Sequence, residues 1–265
     1  MRNSFFVLTV ANLAVLAFSS SLRAQNPPQP AAAHSQTAAS TPDFSGVWTQ
    51  HPSPAARAYA LYALTKDAPP MTPWAEAKFK ESKPSFGPRS APDSNDPVNP
   101  TNGTLGCFPP GVPRIYQHPF PMEIVQIPGR VIMLFEFDHH IRQIYTDGRG
   151  HNKDLAPLWM GDSIGKWEGD TLVVDTTNFN DKTWLDRGGH PHSDQLHLVE
   201  RIHKTSPDIL QIDITIEDPI AYTKPWTGQQ TFQLRPKWNL MELMCLDNVN
   251  FLDLANKLKV TPDKK

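Results

Sequence analysis

Apolar and polar residues alternate along most of the chain after position 122. The alternation is most regular over residues 208–216, where every second residue from Leu210 is leucine or isoleucine. Because successive side chains of a strand point to opposite faces, this pattern predicts a strand with one buried face. Residues 196–203 alternate in the same way, but Glu200 shares the apolar face of Leu198 and Ile202. A carboxylate at that position must be paired or desolvated, so it is a candidate functional residue.

The same reasoning predicts about ten strands with short turns between them. They span residues 43–49, 122–127, 131–137, 141–145, 163–167, 171–176, 196–203, 208–216, 229–235 and 240–245. A closing helix is predicted over 250–258. No helices alternate with the strands, which excludes a doubly wound sheet. We therefore predict a mostly β fold, an antiparallel calycin- or lipocalin-like barrel enclosing a cavity, with a β-sandwich as the alternative.

Proline dominates the region before the barrel. The chain contains 27 prolines, about twice the average usage, and proline disfavours long helices and central strands. Pro54 and Pro73 stand where first-turn prolines belong, which predicts helices over 55–66 and 74–81. We expect a helical and proline-rich wrap over residues 50–121, within one domain spanning 43–265.

The first residues have the pattern of an export signal. Arg2 precedes an apolar run from Phe5 to Phe18, and small residues follow it, which is typical of a secretory signal peptide over 1–24. Residues 25–42 are rich in alanine, proline and glutamine without periodicity, which predicts a disordered linker. No later apolar run reaches the length of a membrane span. We expect a periplasmic or secreted protein without membrane association.

Export changes the interpretation of the two cysteines. Cys107 and Cys245 both stand beside apolar residues. In an oxidising compartment two such cysteines form a disulfide more often than two free thiols. We therefore predict a Cys107–Cys245 disulfide that ties the proline-rich wrap to the end of the chain.

The composition bears on the kind of partner, and the partner we expect is a small molecule in the barrel cavity. The formal net charge is −2, and 39% of the residues are hydrophobic against 20% charged. Such a balance gives no electrostatic reason to expect nucleic acid as a partner. It leaves the oligomeric state open.

Polar residues with catalytic potential concentrate in two predicted loops and the strands beside them. General acid–base catalysis requires a histidine close to a paired or desolvated carboxylate. We predict His192, Glu200 and Asp147 as the catalytic group. Arg149, His151, Trp159, Trp167 and Trp184 are the predicted substrate-binding residues. The structural alternative is a buried ion pair of Glu200 with Arg142 or Arg149.

Histidine spacing leaves a metal site as a further alternative. His190 and His192 form a His-x-His pair, and a third histidine, His197, follows them. On a strand, this spacing points two imidazoles to the same side, as a metal site requires. In this alternative, one divalent metal ion is bound by His190, His192 and His197; otherwise we expect no cofactor.

Several sequence blocks resemble those of an uncharacterised family of secreted bacterial proteins. They are DFSGVW at 43–48, YTDGRGH at 145–151, GDSIGKWEGDTLVVDT at 161–176, PHS at 191–193 with ER at 200–201, and EDP at 217–219 with YTKPW at 222–226. The resemblance covers most of the chain after residue 42. It implies a lipocalin-like fold, and it implies no catalytic residue and no substrate.

Three functions are compatible with these observations. The first is an exported acid–base enzyme of hydrolase, lyase or hydratase type, acting on a small apolar or glycosidic molecule in the barrel cavity. The second is a ligand-binding calycin without catalysis. The third is a histidine-ligated metalloenzyme. We favour the acid–base enzyme, since a histidine and a desolvated carboxylate are both predicted at one end of the barrel.

Overall fold

A closed barrel of nine strands forms the centre of the protein. The computed structural model describes residues 41–102 and 106–244, and in those residues the strands follow one another around the barrel in chain order. They are β1 (Gly46–Gln50), β2 (Met122–Ile127), β3 (Arg130–Phe135), β4 (Ile141–Tyr145), β5 (Asp162–Glu168), β6 (Thr171–Thr177), β7 (His197–Ser206), β8 (Ile209–Glu217) and β9 (Trp226–Leu234). The predicted β-barrel is confirmed.

One strand pair departs from the predicted antiparallel order. β4 and β5 run parallel, with Ile144 opposite Ser163, whereas the other neighbouring strands are antiparallel. An odd number of strands cannot close with every neighbour reversed, so one parallel pair is needed. The connection 146–161 carries the chain back along the barrel before β5 begins. The barrel is therefore mixed.

The barrel interior is built from the alternating apolar positions of the strands. Leu198, Ile202 and Ile212 are fully buried there. Glu200 lies on the same face of β7 as Leu198 and Ile202 and is also fully buried, as its position in the pattern predicts. The interior thus holds a charged group among aliphatic side chains.

In the described residues between β1 and β2, one α-helix interrupts turns and irregular chain. This helix, α1 (Pro73–Glu81), begins after Thr72, whose hydroxyl accepts a hydrogen bond from the Ala75 amide at 3.3 Å. Residues 54–62 form overlapping turns, so the helix predicted over 55–66 is wrong. The Ala60 carbonyl accepts from the side chains of Gln117 and Gln230 at 3.2 and 3.3 Å. These tertiary contacts compete with the hydrogen bonds that would continue a helix.

The wrap reaches the barrel through a short 3₁₀ helix, Arg114–Gln117, whose residues are all buried. Arg114 forms two hydrogen bonds with Asp96 at 2.6 and 2.7 Å, and both side chains are buried. This ion pair fixes the helix against the rest of the wrap. Tyr116 of the same helix extends towards Glu200.

Several predictions concern residues before 41 or after 244, and one concerns a strand that crosses residue 244. The signal peptide (1–24), most of the linker (25–42), the helix over 250–258 and Cys245 lie outside the described residues. A strand was predicted over 240–245, but up to residue 244 the chain forms only an isolated bridge between Phe137 and Leu243. None of the helices in 41–102 and 106–244 is long and apolar enough to span a membrane.

Candidate acid–base site

A pocket of about 350 Å³ lies where α1, the wrap and the β6–β7 connection meet. The indoles of Trp74 and Trp184 contribute to its wall, together with His192 and Thr183. The remaining lining residues are polar, charged or proline: Lys78, Glu81, Ser82, Asn95, Pro97, Asp181, Lys182 and Pro191. All of these residues come from outside the strands, so the pocket is at the rim of the barrel and not in its interior.

Thr183 and His192 form a hydrogen-bonded pair on the pocket wall. The Thr183 Oγ1 atom lies 2.7 Å from His192 Nε2, and His192 Nδ1 lies 3.0 Å from the carbonyl oxygen of Ser193. A carbonyl oxygen accepts and cannot donate, so these contacts assign the ring proton to Nδ1. Nε2 then carries the lone pair and accepts from the Thr183 hydroxyl. A hydroxyl donating to a neutral, oriented imidazole is the arrangement of an activated nucleophile.

Burial keeps this imidazole neutral. His192 is 3% exposed, and its desolvation lowers the pKa below the ordinary histidine value. The Ser193 carbonyl and the carboxylates of Asp218 and Asp181 act in the opposite direction but do not overcome burial. A histidine with a lowered pKa remains a competent base at neutral and mildly acidic pH.

Neighbouring contacts hold the backbone on both sides of His192. The Tyr222 hydroxyl donates to the Pro191 carbonyl at 2.7 Å. The Asp218 carboxylate accepts from the Ser193 amide at 2.6 Å and from the Ser193 hydroxyl at 2.8 Å. Trp184 and Pro191 form an antiparallel bridge, which brings the two halves of the connection together. This hairpin places Thr183 opposite His192.

Glu200 belongs to a different site, inside the barrel. It forms an ion pair with Arg142 of β4, and the Tyr116 hydroxyl donates to its Oε1 atom at 2.7 Å. Arg142 also donates to the Thr176 hydroxyl at 2.9 Å and to the Ser163 hydroxyl at 3.1 Å. This is the ion pair with Arg142 that the structural alternative predicted.

The protonation of this buried cluster follows from its contacts. Burial raises the pKa of Tyr116 well above its ordinary value, against the effect of Arg142, so the phenol stays protonated. Burial alone would lower the pKa of Arg142, but Glu200 and Tyr116 raise it above its ordinary value. Each charged group is therefore paired, which is the condition for its burial. The cluster stabilises the barrel and is not placed at the pocket.

Asp147 and Arg149 pair with each other on the surface. Arg149 Nε donates to the two carboxylate oxygens of Asp147 at 2.9 and 3.0 Å, and the guanidinium lies 3.9 Å from the Tyr145 ring centroid. The hydrogen bond from Arg149 lowers the pKa of Asp147. Their contacts are with one another and with Tyr145, so the structure does not bring them to His192 or Glu200.

Most of the predicted binding residues also lie elsewhere. Trp167 packs against Phe44, with ring centroids 5.2 Å apart, and Trp159 stacks on Phe108 at 5.6 Å. His151 lies 2.9 Å from Asp162 and 2.8 Å from Asp175. Of the predicted site residues, His192 and Trp184 line the pocket.

The three histidines of the metal alternative have separate partners. His190 is bound to Asp186 at 2.6 Å, His192 to Thr183, and His197 to both Asp175 and Glu217. Within the described parts of the chain, no group of three or more histidine, cysteine or acidic residues has an arrangement that could hold a metal ion.

Sequence reasoning missed Thr183 and Trp74. Thr183 faces His192 only because a hairpin reverses the chain between them, and Trp74 comes from a helix far away in sequence. The sequence contains one signal for this pairing. Pro191, next to His192, is typical of an edge strand or a bend, and an edge strand can pair with a segment that precedes it in the chain.

Comparison with protein-family models, curated protein sequences and solved structures gives no match to this chain. The candidate site therefore has to be interpreted from its own geometry.

Proposed function

We propose that the protein is an exported acid–base hydrolase with Thr183 as nucleophile and His192 as general base. The observation that carries the proposal is the chain from the Thr183 hydroxyl through His192 to the Ser193 carbonyl, on the wall of a pocket. The N-terminal sequence pattern supports export. The proposal keeps His192 in the role predicted from the sequence and replaces Glu200 by Thr183 as its partner.

The pocket favours a small ester of a sugar or a similar ring. Trp74 and Trp184 supply aromatic surface, on which rings stack. Asn95, Asp181 and Glu81 supply polar groups suited to hydroxyl groups. A volume of about 350 Å³ is close to the lower limit of ordinary ligand pockets, which favours a substrate of one ring.

The proposed reaction is an acyl transfer through Thr183. His192 Nε2 takes the hydroxyl proton while Thr183 Oγ1 forms a bond to the ester carbonyl carbon. The bond to the leaving alkoxide then breaks, and His192 returns the proton to that oxygen. His192 then deprotonates a water molecule, whose oxygen attacks the acyl carbon. The bond from that carbon to Thr183 Oγ1 breaks, His192 returns the proton to Oγ1, and the acid leaves. Lys78 and Lys182 line the pocket, and the Lys78 ammonium lies 3.7 Å from the Glu81 carboxylate. The Lys182 side chain is suited to stabilising the negative charge on the carbonyl oxygen.

Hydrolysis of p-nitrophenyl acetate and of glucose pentaacetate by the mature protein tests this proposal. Thr183→Val and His192→Gln are expected to lower kcat/KM by at least about 100-fold, the usual contribution of acid–base catalysis. Thr227→Val, at an exposed position of β9, and His203→Gln, on β7, are matched controls outside the pocket. These two variants should stay within about twofold of the unsubstituted protein.

Two results would decide against the hydrolase. Full activity of folded Thr183→Val would exclude the threonine as nucleophile. Absence of turnover with sugar binding retained would favour the non-catalytic alternative, which one observation supports: Thr183 and His192 are 6% and 3% exposed. In that case Trp74→Ala should reduce the change in tryptophan fluorescence on adding sugar, because Trp74 and Trp184 are the two tryptophans that line the pocket.

A further inference from the structure

A second pocket, of about 300 Å³, is lined by residues of α1, of the turns at 54–62 and of the segment after them. Its wall is mainly aromatic, with the rings of Tyr59, Tyr62, Phe79 and Phe86. Lys66, Asp67, Arg89 and His190 contribute the charged and titratable groups. The pocket shares no lining residue with the pocket at His192.

A buried carboxylate fixes the histidine of this pocket. Asp186 is fully buried and accepts from the Gly188 amide at 3.0 Å and the His190 amide at 3.2 Å. Its other oxygen lies 2.6 Å from His190 Nδ1, and the imidazole stacks on Phe79 with centroids 4.4 Å apart. Nδ1 is therefore used by Asp186, and Nε2 is the ring nitrogen left to contact a ligand.

Two guanidinium groups are pressed against the rings of the same pocket. Arg89 lies 3.8 Å from the Phe79 centroid and Arg187 lies 3.8 Å from the Phe86 centroid. Their hydrogen bonds run to backbone carbonyls and, for Arg89, to the Ser82 hydroxyl. In the described residues neither forms an ion pair with a carboxylate. Burial lowers the pKa of Arg89, although the Asp186 carboxylate acts to raise it. Burial together with Arg114 lowers the pKa of Arg187 to about 10, although Asp96 acts to raise it.

These groups place positive charge at the edge of an apolar pocket. Arg187 is largely withdrawn from water and Arg89 is exposed, and an anion bound nearby stabilises such cations when no carboxylate is within ion-pair distance. Lys66 adds a third cationic group, and Asp67 is the one carboxylate in the lining. The complementary ligand has a flat apolar body and one negative group.

We propose that this pocket is a binding site for a small aromatic carboxylate. The ring of the ligand packs among Tyr59, Tyr62 and Phe86. Its carboxylate accepts a hydrogen bond from His190 Nε2 and lies near Lys66. The His190 imidazole then lies between the Asp186 carboxylate and the carboxylate of the ligand.

Calorimetric titration of the mature protein with trans-cinnamate tests the site. Cinnamyl alcohol, which has the same body without the charge, is expected to bind about tenfold more weakly, the loss of one hydrogen bond to a charged group. His190→Gln should raise the Kd about tenfold for the same reason. Lys66→Met and Phe86→Ala alter a flexible exposed side chain and a partly exposed ring, and each should raise the Kd about threefold.

Two further variants test whether the Kd responds to charge in the expected direction and whether that response is confined to the pocket. Asp67→Asn removes the repelling carboxylate and should lower the Kd. Lys80→Met, on an exposed position of α1 that lines neither pocket, should leave the Kd unchanged. The proposal is overturned if cinnamate does not bind, if the alcohol binds equally well, or if Lys80→Met has the effect of Lys66→Met. If His190→Gln does not fold, the Lys66, Phe86 and Asp67 variants still decide the matter.

Discussion

Arg142 and Glu200 face each other inside the barrel, and neither side chain is accessible to solvent. Arg142 comes from β4 and Glu200 from β7, so their ion pair joins two strands that are not neighbours. Tyr116, from the wrap, donates to the same carboxylate. The wrap is thus attached to the barrel from within.

Removing one partner of this pair should be strongly destabilising. Glu200→Ala leaves Arg142 buried without a counter-charge, and we expect a loss of about 3–5 kcal/mol in the free energy of unfolding. Urea denaturation followed by tryptophan fluorescence measures it.

A neighbouring exposed pair provides the control for Glu200. Arg201, the next residue, pairs with Glu168, and both side chains are about half exposed. Arg201→Ala should cost less than about 1 kcal/mol. Equal effects of Glu200→Ala and Arg201→Ala would contradict the structural role assigned to the buried pair.

The disulfide prediction can be tested on the mature protein. Cys107 packs in a small cluster with Val98, Phe137 and Leu243, and Leu243 is two residues before Cys245 in the sequence. We therefore expect the two sulfurs to be bonded. Thiol titration of the denatured, unreduced protein should find almost no free thiol, and the same titration after reduction should find both. Two free thiols before reduction would refute the disulfide.

Buried histidines predict a loss of stability in mild acid. Burial lowers the pKa of His192 below the ordinary value of 6.5. Burial and the charges of Arg114 and Arg187 lower the pKa of His118 well below that value. Below pH 6.5 the unfolded chain binds protons that the folded protein does not, so the free energy of unfolding falls as the pH falls. Denaturant titrations at pH 7 and pH 5 measure this difference.

His197 behaves in the opposite sense. Burial acts to lower its pKa, but the hydrogen bonds to Asp175 and Glu217 outweigh burial and raise it. The stabilisation that His197 gives to the folded protein is fully present below pH 6.5. It is lost as the pH rises through the raised pKa of the folded state. His197→Gln should therefore reduce stability at pH 6 more than at pH 9. A variant with the same effect at both values would contradict the ion pairs assigned to His197.

The alternating pattern predicted the barrel because side-chain alternation is a local property of a strand. It placed β2 and β4 at their observed limits and put Glu200 on the buried face. The turns at 54–62 escaped prediction because Gln117 and Gln230, distant in sequence, bind the Ala60 carbonyl. The parallel β4–β5 pair is a consequence of strand number, which no single segment encodes.

The candidate site was predictable only in part, because its contacts join residues that lie on different segments of the chain. His192 stands out in the sequence, but its partner depends on how the β6–β7 connection folds. Glu200 was close to His192 in sequence and lies among the interior side chains instead. The pairing of Thr183 with His192 requires the bridge between Trp184 and Pro191, a contact between residues on opposite sides of a loop.

If His192 is the general base, its protonation sets the pH profile of the esterase activity. Because burial lowers the pKa of His192, the base stays neutral below pH 6.5. We expect kcat/KM for p-nitrophenyl acetate to remain constant as the pH falls from 7.5 through 6.5 and to decline only below it. A decline centred above pH 6.5 would show that another group is the base.

Trapping the acyl group on Thr183 tests the central claim most directly. The protein is mixed with p-nitrophenyl acetate, quenched in acid during turnover, digested and analysed by mass spectrometry. We predict one acetyl group on Thr183, removed by hydroxylamine because it is an ester, and absent from Thr183→Val. Acetylation of Lys182 would resist hydroxylamine and is thereby distinguished. Undiminished turnover with no hydroxylamine-sensitive acetyl group on Thr183 would contradict the account.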